Sequence, residues 1–221
     1  MIQSIYTIPI QDVFEPKCGC PICNLQKMLE ERCLCYILGD AMMQPDIRQQ
    51  TNYYGFCSDH LKKMFSRQKK LPLALMLETH LDELEKKHVT NQPRTKKSLP
   101  SPAKTCFVCN EINEALNNII NNTIKLYTVD SDFRKLFKEQ PFFCFSHYDL
   151  LVEKASILLN KKEIIPFMND ISEVTKNYLV NLKNDVHAFS TMFDYRNSKQ
   201  EITDENILTS LERAITFLSS N

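Results

Sequence analysis

Eight cysteine and histidine side chains follow a pattern that the chain contains twice. Cys20-Pro-Ile-Cys23 is followed by Cys57-Ser-Asp-His60, and Cys106-Phe-Val-Cys109 is followed by Cys144-Phe-Ser-His147. Zn²⁺ prefers thiolate and imidazole ligands, and ligands supplied in close pairs allow two short turns to surround one ion. The pattern therefore predicts two Zn²⁺ ions, each bound by three cysteines and one histidine.

The order of these pairs along the chain suggests how the ligands are shared. We expect each CxxC pair to bind its ion together with the CxxH pair that follows it, which gives one site at Cys20, Cys23, Cys57 and His60 and another at Cys106, Cys109, Cys144 and His147. Four protein ligands leave no open position for a substrate or a reactive water. The sequence therefore predicts structural zinc, no catalytic residues and no enzymatic activity.

Three further cysteines lie outside this pattern. Cys18 is a rival to Cys20 as a partner of Cys23, but the second half of the chain has no counterpart of Cys18, so we assign Cys20. Cys33 and Cys35 lie well inside a predicted helix, where small thiols usually belong to the core.

Helices are expected to position the ligands. The 221 residues include three glycines and no tryptophan, which disfavours a glycine-rich β fold or a phosphate-binding loop. Apolar residues recur at three- and four-residue steps after both CxxC pairs, and Ser58 or Asp59 can cap a helix that carries His60. The predicted fold class is all-α, with two related zinc-clamped helical units followed by a carboxy-terminal helical pair.

The similarity between the two halves extends beyond the ligands. Ser131-Asp-Phe-Arg134 repeats Pro45-Asp-Ile-Arg48 at nearly the same distance before the third ligand. Such agreement indicates an internal duplication. We therefore divide the chain into a first unit at 1–90, a flexible basic linker at 91–105, a second unit at 106–162 and the helical pair at 163–221.

The carboxy-terminal pair carries two apolar stripes. A long helix is predicted with Pro166 near its start and a stripe from Phe167 to Phe193, and Thr203-Asp204-Glu205 is predicted to start the last helix through its cap and first-turn acids. The buried face of this last helix is predicted from its apolar spacing as Ile207, Leu211, Ile215 and Leu218. We expect the pair to pack back against the two units.

Charge defines the first alternative function. Lys and Arg balance Asp and Glu at 27 each, which disfavours a dedicated nucleic-acid-binding protein. The stretch 61–104 is nevertheless locally basic, and Leu61–Lys70 places five cations directly behind His60, where they can contact phosphates. Nucleic-acid binding through this stretch is the first alternative function.

Thiol redox chemistry or metal sensing is the second alternative function, although a redox CxxC motif requires a βαβ context that this sequence lacks.

No stretch reaches the roughly 20 apolar residues that span a bilayer, and Met1 to Glu15 lacks the features of a secretion signal. We therefore expect a cytoplasmic protein with no membrane partner, in a compartment where cysteines bind metal rather than form disulfides. His80 and His88 are predicted to be solvated helix residues.

The ligand motifs also carry a resemblance. Cys20-Pro-Ile-Cys23, Phe56-Cys-Ser-Asp-His60, the second set between Cys106 and His147, and Asp194-Tyr-Arg-Asn197 resemble a family of uncharacterised bacterial proteins. This family is a domain of unknown function found mainly in low-GC Gram-positive bacteria. The resemblance covers nearly the full length, although the second CxxC pair lacks the proline of the first. It implies the duplicated metal sites and brings no established activity.

These observations together predict a non-catalytic zinc-binding protein. Zinc fixes the starts of helices that lie far apart in the sequence, and the helical surfaces are presented to another protein, as in an interaction or scaffold module.

Overall fold

The computed structural model describes residues 10–88, 105–193 and 204–219, and within these ranges it contains eleven α-helices, one 3-10 helix and no strand. The α-helices are α1 (Ile10–Phe14), α2 (Pro21–Ile37), α3 (Pro45–Tyr54), α4 (Ser58–Ser66), α5 (Lys70–His88), α6 (Phe107–Val129), α7 (Ser131–Lys138), α8 (Phe145–Leu158), α9 (Lys161–Thr191), α10 (Glu205–Leu208) and α11 (Ser210–Ser219). The 3-10 helix is Asp40–Met43. The all-α prediction is confirmed. The predicted linker, apart from Thr105, and the motif at 194–197 lie outside the described residues.

The same order of helices occurs in both halves of the chain. A long helix that starts at a CxxC pair (α2 or α6) leads to a short helix (α3 or α7). A helix that starts at a CxxH pair (α4 or α8) and a further long helix (α5 or α9) follow. We refer to α2–α5 with the preceding Cys20, and to α6–α9 with the preceding Cys106, as the first and second repeats.

The described residues fall into two compact units whose limits differ from those of the predicted segments. The first unit lies within Lys27–Asn117, and the second lies within Thr7–Gln26 and Asn118–Asn221. The divisions therefore fall inside α2 and α6.

In the first unit, α3, α4 and the 3-10 helix all pack against α5. The backbone of Gly55, which ends α3, has a φ of +62°, a value that favours glycine. A Cβ atom here would lie 2.7 Å from Nε2 of His80. His80 is buried, and its Nδ1 lies 2.9 Å from the backbone oxygen of Asn52. The expectation that His80 is solvated is therefore wrong, because this ring fills the space that Gly55 leaves open.

In the second unit, α1 packs against α7, and α7, α8, α10 and α11 pack against α9. Asn160 and Glu163 form a capping box at the start of α9, so that this long helix begins with its first N–H groups bonded. The centre of the unit is an aromatic cluster with ring centroids 4.8 to 6.1 Å apart, made by Phe14, Tyr127, Phe133, Phe137, Phe143 and Phe167.

The predicted buried face of the last helix is wrong. A helix begins at the predicted place, where Asp204 accepts a hydrogen bond from the backbone N–H of Asn206, but α10 ends at Leu208 and a new helix begins at Ser210. Phe217 in α11 is buried against the rings of Phe142 and Tyr178. A buried aromatic ring removes more apolar area from water than an aliphatic side chain, so this ring sets the inward face. Three predicted core residues are exposed instead: Leu211, Ile215 and Leu218.

Candidate metal centres

The eight predicted ligands lie in two clusters, each with three thiols and one imidazole. The α2–α8 cluster contains Cys20, Cys23, Cys144 and His147, and the α4–α6 cluster contains Cys57, His60, Cys106 and Cys109. In each cluster the four candidate ligand atoms lie within 4.8 Å of one another. The α4–α6 cluster belongs to the first compact unit and the α2–α8 cluster to the second.

The predicted pairing of the ligands is therefore wrong. Cys20 and Cys23 do not join Cys57 and His60, and Cys106 and Cys109 do not join Cys144 and His147. Each CxxC pair meets the CxxH pair of the other repeat.

Helix length explains this crossed arrangement. The 23 residues of α6 extend about 34 Å, whereas the eight residues of α7 extend about 12 Å. In the first repeat, the 17 residues of α2 likewise exceed the 10 of α3. The short helix is too short to retrace the long one, which agrees with the observation that each CxxH pair lies in a different cluster from the CxxC pair that precedes it.

Every ligand pair lies at the start of a helix. Cys57 and Cys144 are N-cap residues with extended backbones, and each histidine follows three positions later, inside the first turn. Cys20 immediately precedes α2 and Cys106 immediately precedes α6, with the second cysteine again three positions later. This spacing places both members of a pair on one side of the helix. The positive end of the helix dipole favours the thiolate form that binds metal.

The distances in the α2–α8 cluster fit a tetrahedral ion. The Nδ1 atom of His147 lies 3.8, 3.3 and 3.1 Å from the sulfurs of Cys20, Cys23 and Cys144. The sulfurs of Cys23 and Cys144 are 3.5 Å apart. Ligands at the usual zinc–sulfur and zinc–nitrogen distances, arranged tetrahedrally, are separated by about 3.5 to 3.8 Å. A metal ion can therefore bind between these four atoms after small adjustments.

The α4–α6 cluster has nearly the same dimensions. The Nδ1 atom of His60 lies 3.2, 3.3 and 3.4 Å from the sulfurs of Cys57, Cys106 and Cys109. The sulfurs of Cys57 and Cys109 are 3.9 Å apart. Both clusters can thus hold an ion, and in both the histidine turns Nδ1 toward the thiols.

Electrostatics favour a cation among the thiols. Burial raises the pKa of Cys20 and of Cys106, and burial together with the nearby Cys106 raises the pKa of Cys109 to about 12. Burial also acts to raise the pKa of Cys57, but hydrogen bonds, first that from the backbone N–H of His60, outweigh it and lower this pKa. The three thiols whose pKa is raised remain protonated unless a positive ion stabilises their thiolates, and a divalent metal supplies that charge.

The two histidines differ in their surroundings. Burial lowers the pKa of His60. Burial also acts to lower the pKa of His147, but hydrogen bonds with Cys144 and Cys23 outweigh it and raise this pKa to about 9.

Glu30 supports the histidine of the α4–α6 cluster. Its Oε1 atom lies 2.9 Å from Nε2 of His60 and 2.5 Å from Nζ of Lys63. A carboxylate that accepts from the outer nitrogen of a histidine fixes the tautomer and aims the other nitrogen at the metal. Among the described residues, no carboxylate lies at the same position beside His147. Sequence analysis missed Glu30, since nothing in the sequence distinguishes it from its neighbour Glu31.

The remaining cysteines lie outside both clusters. Cys18 is exposed, which agrees with the choice of Cys20 as the ligand, and none of the nine cysteines forms a disulfide. Cys33 is buried as predicted, and burial raises its pKa to about 12. Cys35 is exposed, contrary to prediction, and its sulfur accepts from Nη1 of Arg67 at 3.3 Å.

Comparison with known proteins places the chain in a family. The chain belongs to a family of unknown function, DUF6062, whose model matches residues 1–221. It is 22% identical over 190 residues to an "uncharacterized 23.9 kDa protein in xynA 3′ region" of Caldicellulosiruptor sp. (strain Rt8B.4). The aligned residues make up 85% of this chain and 89% of that protein. No solved structure matches the chain. The resemblance to a bacterial family of unknown function is confirmed.

Proposed function

We propose that this member of the DUF6062 family is a non-catalytic module in which two structural Zn²⁺ ions fix a helical body that binds another protein. The observation that carries the proposal is the pair of Cys3His clusters, in which two helix starts from different repeats meet at four ligand atoms. An ion at each cluster crosslinks segments of chain that are far apart in sequence.

The ligands support zinc over other common metals. Three thiolates and one imidazole at tetrahedral distances suit Zn²⁺, whereas Mg²⁺ and Ca²⁺ require oxygen ligands. Nine cysteines without a disulfide also suit a reducing compartment, and for this reason we propose the cytoplasm as the location. Within the described ranges, no helix combines the length and the apolar character needed to cross a membrane.

The closed ligand set supports a structural role. All four positions around each ion are taken by protein, and Cys20, Cys106, Cys144 and both histidines are buried. A catalytic zinc site keeps one position open for water or substrate. We therefore propose that the ions contribute to folding rather than to a reaction.

The exposed face of α11 supports a protein partner. Leu211, Ile215 and Leu218 lie on one side of this helix and are 43%, 64% and 66% exposed. An apolar stripe at helical spacing is the type of surface by which a helix packs against a groove or helix of another protein.

The basic stretch gives less support to nucleic-acid binding. In its described part, Lys63 pairs with Glu30 and Arg67 pairs with Glu31. Lys70 donates to the backbone oxygen of Phe65 and lies over its ring. Acidic partners reduce the local positive charge on which phosphate binding depends. Salt-dependent binding of the intact protein to a DNA or RNA duplex would favour this alternative instead.

Metal analysis tests the zinc proposal. Protein purified without oxygen is expected to contain two zinc ions per chain, and its Co²⁺-substituted form is expected to show the strong visible absorption of tetrahedral thiolate coordination. Cys57→Ala and Cys144→Ala should each lose one ion and unfold in part, because the bound ion supplies on the order of 10 kcal/mol. The proposal fails if either variant keeps two ions and the stability of the unmodified protein.

Interaction measurements test the partner proposal. Proteins retained by the tagged, zinc-loaded chain would be compared with those retained by Ile215→Glu and by Leu81→Glu, a control residue in α5 that is 61% exposed. We expect one partner to be lost with Ile215→Glu and kept with Leu81→Glu. Equal retention by all three proteins would rule out α11 as the contact surface.

A further inference from the structure

The second compact unit contains an open cavity of about 360 Å³ beside the end of α6 and the starts of α7 and α9. Arg134 and Lys162 place two cationic side chains on its wall, and Val129 and Pro166 provide apolar surface. Its volume lies at the lower end of the range for small-molecule sites. Glu163 also lines the cavity, but its Oε2 atom accepts from the backbone N–H of Asn160 within the capping box.

A buried carboxylate fixes the orientation of Arg134. Asp170 is 6% exposed and accepts hydrogen bonds from Nε of Arg134 at 3.0 Å and from the hydroxyl of Tyr127 at 2.5 Å. Nζ of Lys138 lies 3.4 Å from its other oxygen. The guanidinium of Arg134 also lies over the ring of Tyr127, 5.1 Å from its centre. These contacts hold a planar fork of N–H groups at the cavity wall, and the bond to Asp170 uses one of the five.

The corresponding positions of the first repeat lack the hydrogen-bond network of Tyr127, Arg134 and Asp170. Arg48 precedes the first CxxH pair as Arg134 precedes the second, but the residue at the spacing of Tyr127 is Ala41. When the two long helices are aligned at Pro72 and Pro166, Asp170 corresponds to Met76. Ala41 and Met76 are both fully buried. The fold therefore does not require a buried phenol and carboxylate at these positions.

Burying a carboxylate costs stability unless several hydrogen-bond donors replace the water that it loses. An apolar residue of similar size fills the same position without this cost. A buried Asp170 that orients an arginine beside a cavity is thus better explained by binding than by packing.

We propose that this cavity binds a small organic oxyanion, a phosphate ester or a carboxylate, through the guanidinium of Arg134 and the ammonium of Lys162. Paired N–H groups of arginine match the two oxygens of either group. The non-polar part of the molecule would lie against Val129 and Pro166. Asp170 and Tyr127 act as positioning residues, since they hold the guanidinium in place from the interior.

Phenyl phosphate and benzoate serve as probes for this site. Each would be titrated, in a buffer free of phosphate, into the zinc-loaded full-length chain and followed by two-dimensional NMR and calorimetry. We expect at least one of them to bind once per chain with a dissociation constant on the order of 1 mM. The amide signals that move should lie at 127–134 and 162–165, and benzyl alcohol, which is neutral, should move none of them.

Variants separate specific binding from general attraction of anions. Arg134→Gln should weaken binding by at least about tenfold and Lys162→Gln by about threefold. Arg48→Gln, the matched change in the first repeat, should leave binding unchanged. Both substituted side chains of the second repeat reach the surface, and the folding of each variant can be checked by its NMR spectrum and zinc content.

The two probes distinguish the two sources of oxyanion. Binding of phenyl phosphate alone assigns a phosphate ester, and binding of benzoate alone assigns a carboxylate. The proposal is overturned if neither probe shows saturable binding at concentrations up to ten times the expected dissociation constant of about 1 mM. It is also overturned if Arg48→Gln weakens binding as much as Arg134→Gln does.

Discussion

His60 uses both ring nitrogens, and this sets it apart from its counterpart His147. Its Nδ1 atom faces three thiols at 3.2 to 3.4 Å, while its Nε2 atom lies 2.9 Å from Glu30. A proton on Nε2 leaves the lone pair of Nδ1 free for a metal. The α4–α6 centre is therefore supported from outside its ligand set by a charged residue.

Replacement of Glu30 should weaken metal binding at the α4–α6 centre and leave binding at the α2–α8 centre unchanged. Glu30→Ala is expected to lower the metal affinity of the α4–α6 centre by about 10- to 100-fold, and Glu30→Gln by less, since an amide oxygen still accepts from Nε2. Transfer of metal to a coloured chelator would show one fast and one slow ion per chain. Glu31→Ala is the matched control, because Glu31 pairs with Arg67 instead. Equal loss from both centres would contradict the assignment.

Tyr127 gives a prediction that depends on pH. Burial, then the hydrogen bond to Asp170, raises the pKa of its phenol above the ordinary value. At neutral pH, Tyr127→Phe should lower the free energy of unfolding by about 1.5 to 3 kcal/mol, because Asp170 loses a donor to its buried carboxylate.

The difference in free energy of unfolding between Tyr127→Phe and the unmodified protein should become smaller at alkaline pH. A raised folded-state pKa contributes stability that is complete below the unfolded pKa of about 10 and is lost as the pH rises through the folded pKa. Urea unfolding of both proteins at pH 8 and at pH 10.5 measures this. A difference that stays constant or grows at the higher pH would show that the phenol of Tyr127 is not held in its protonated form.

At the scale of helices, local signals predict where elements begin. Pro21 starts α2, Pro45 starts α3, and Asp204 caps α10, because these residues act on the backbone beside them. The exact cap of α4 was misplaced by one position, since Cys57 takes the N-cap place expected of Ser58 or Asp59.

Features that depend on distant packing were not predictable in the same way. The pairing of the ligands follows from the length of α2 and α6 relative to α3 and α7, and neither CxxC spacing nor composition records that relation. The burial of His80 depends on the gap left by Gly55 in another element. The inward face of α11 depends on rings contributed by Phe142 and Tyr178. Each of these outcomes is decided by a partner far away in the sequence.

Stability measurements can verify the observed face of α11. Phe217→Ala should lower the free energy of unfolding by about 3 to 5 kcal/mol, because it empties a site between two aromatic rings. Ile215→Gln should change it by less than about 0.5 kcal/mol, since Ile215 is 64% exposed. Urea titration of the zinc-loaded variants is the measurement. A larger loss of stability for Ile215→Gln than for Phe217→Ala would instead support the buried face predicted from apolar spacing.

For the molecule as a whole, crossed ligand pairs make the two repeats depend on each other. Cys23 and Cys144 meet although 121 positions separate them, and Cys57 and Cys109 meet across 52. Closing such long loops costs chain entropy, which the binding of an ion at each closure offsets. Neither repeat alone contains a complete set of four ligands for either centre, because each repeat supplies its CxxC pair to one centre and its CxxH pair to the other.

Double variants distinguish the crossed arrangement from the sequential one. Cys57→Ser with Cys106→Ser removes two ligands from one centre if the pairs are crossed, so one ion per chain should remain. Cys20→Ser with Cys57→Ser removes one ligand from each centre, so both ions should be lost or weakly held. If ligands were shared between consecutive pairs, the two results would be exchanged. Metal content measured after equal dialysis against a weak chelator therefore decides the pairing, and it does so even where both variants are less stable, because the two arrangements predict opposite orders.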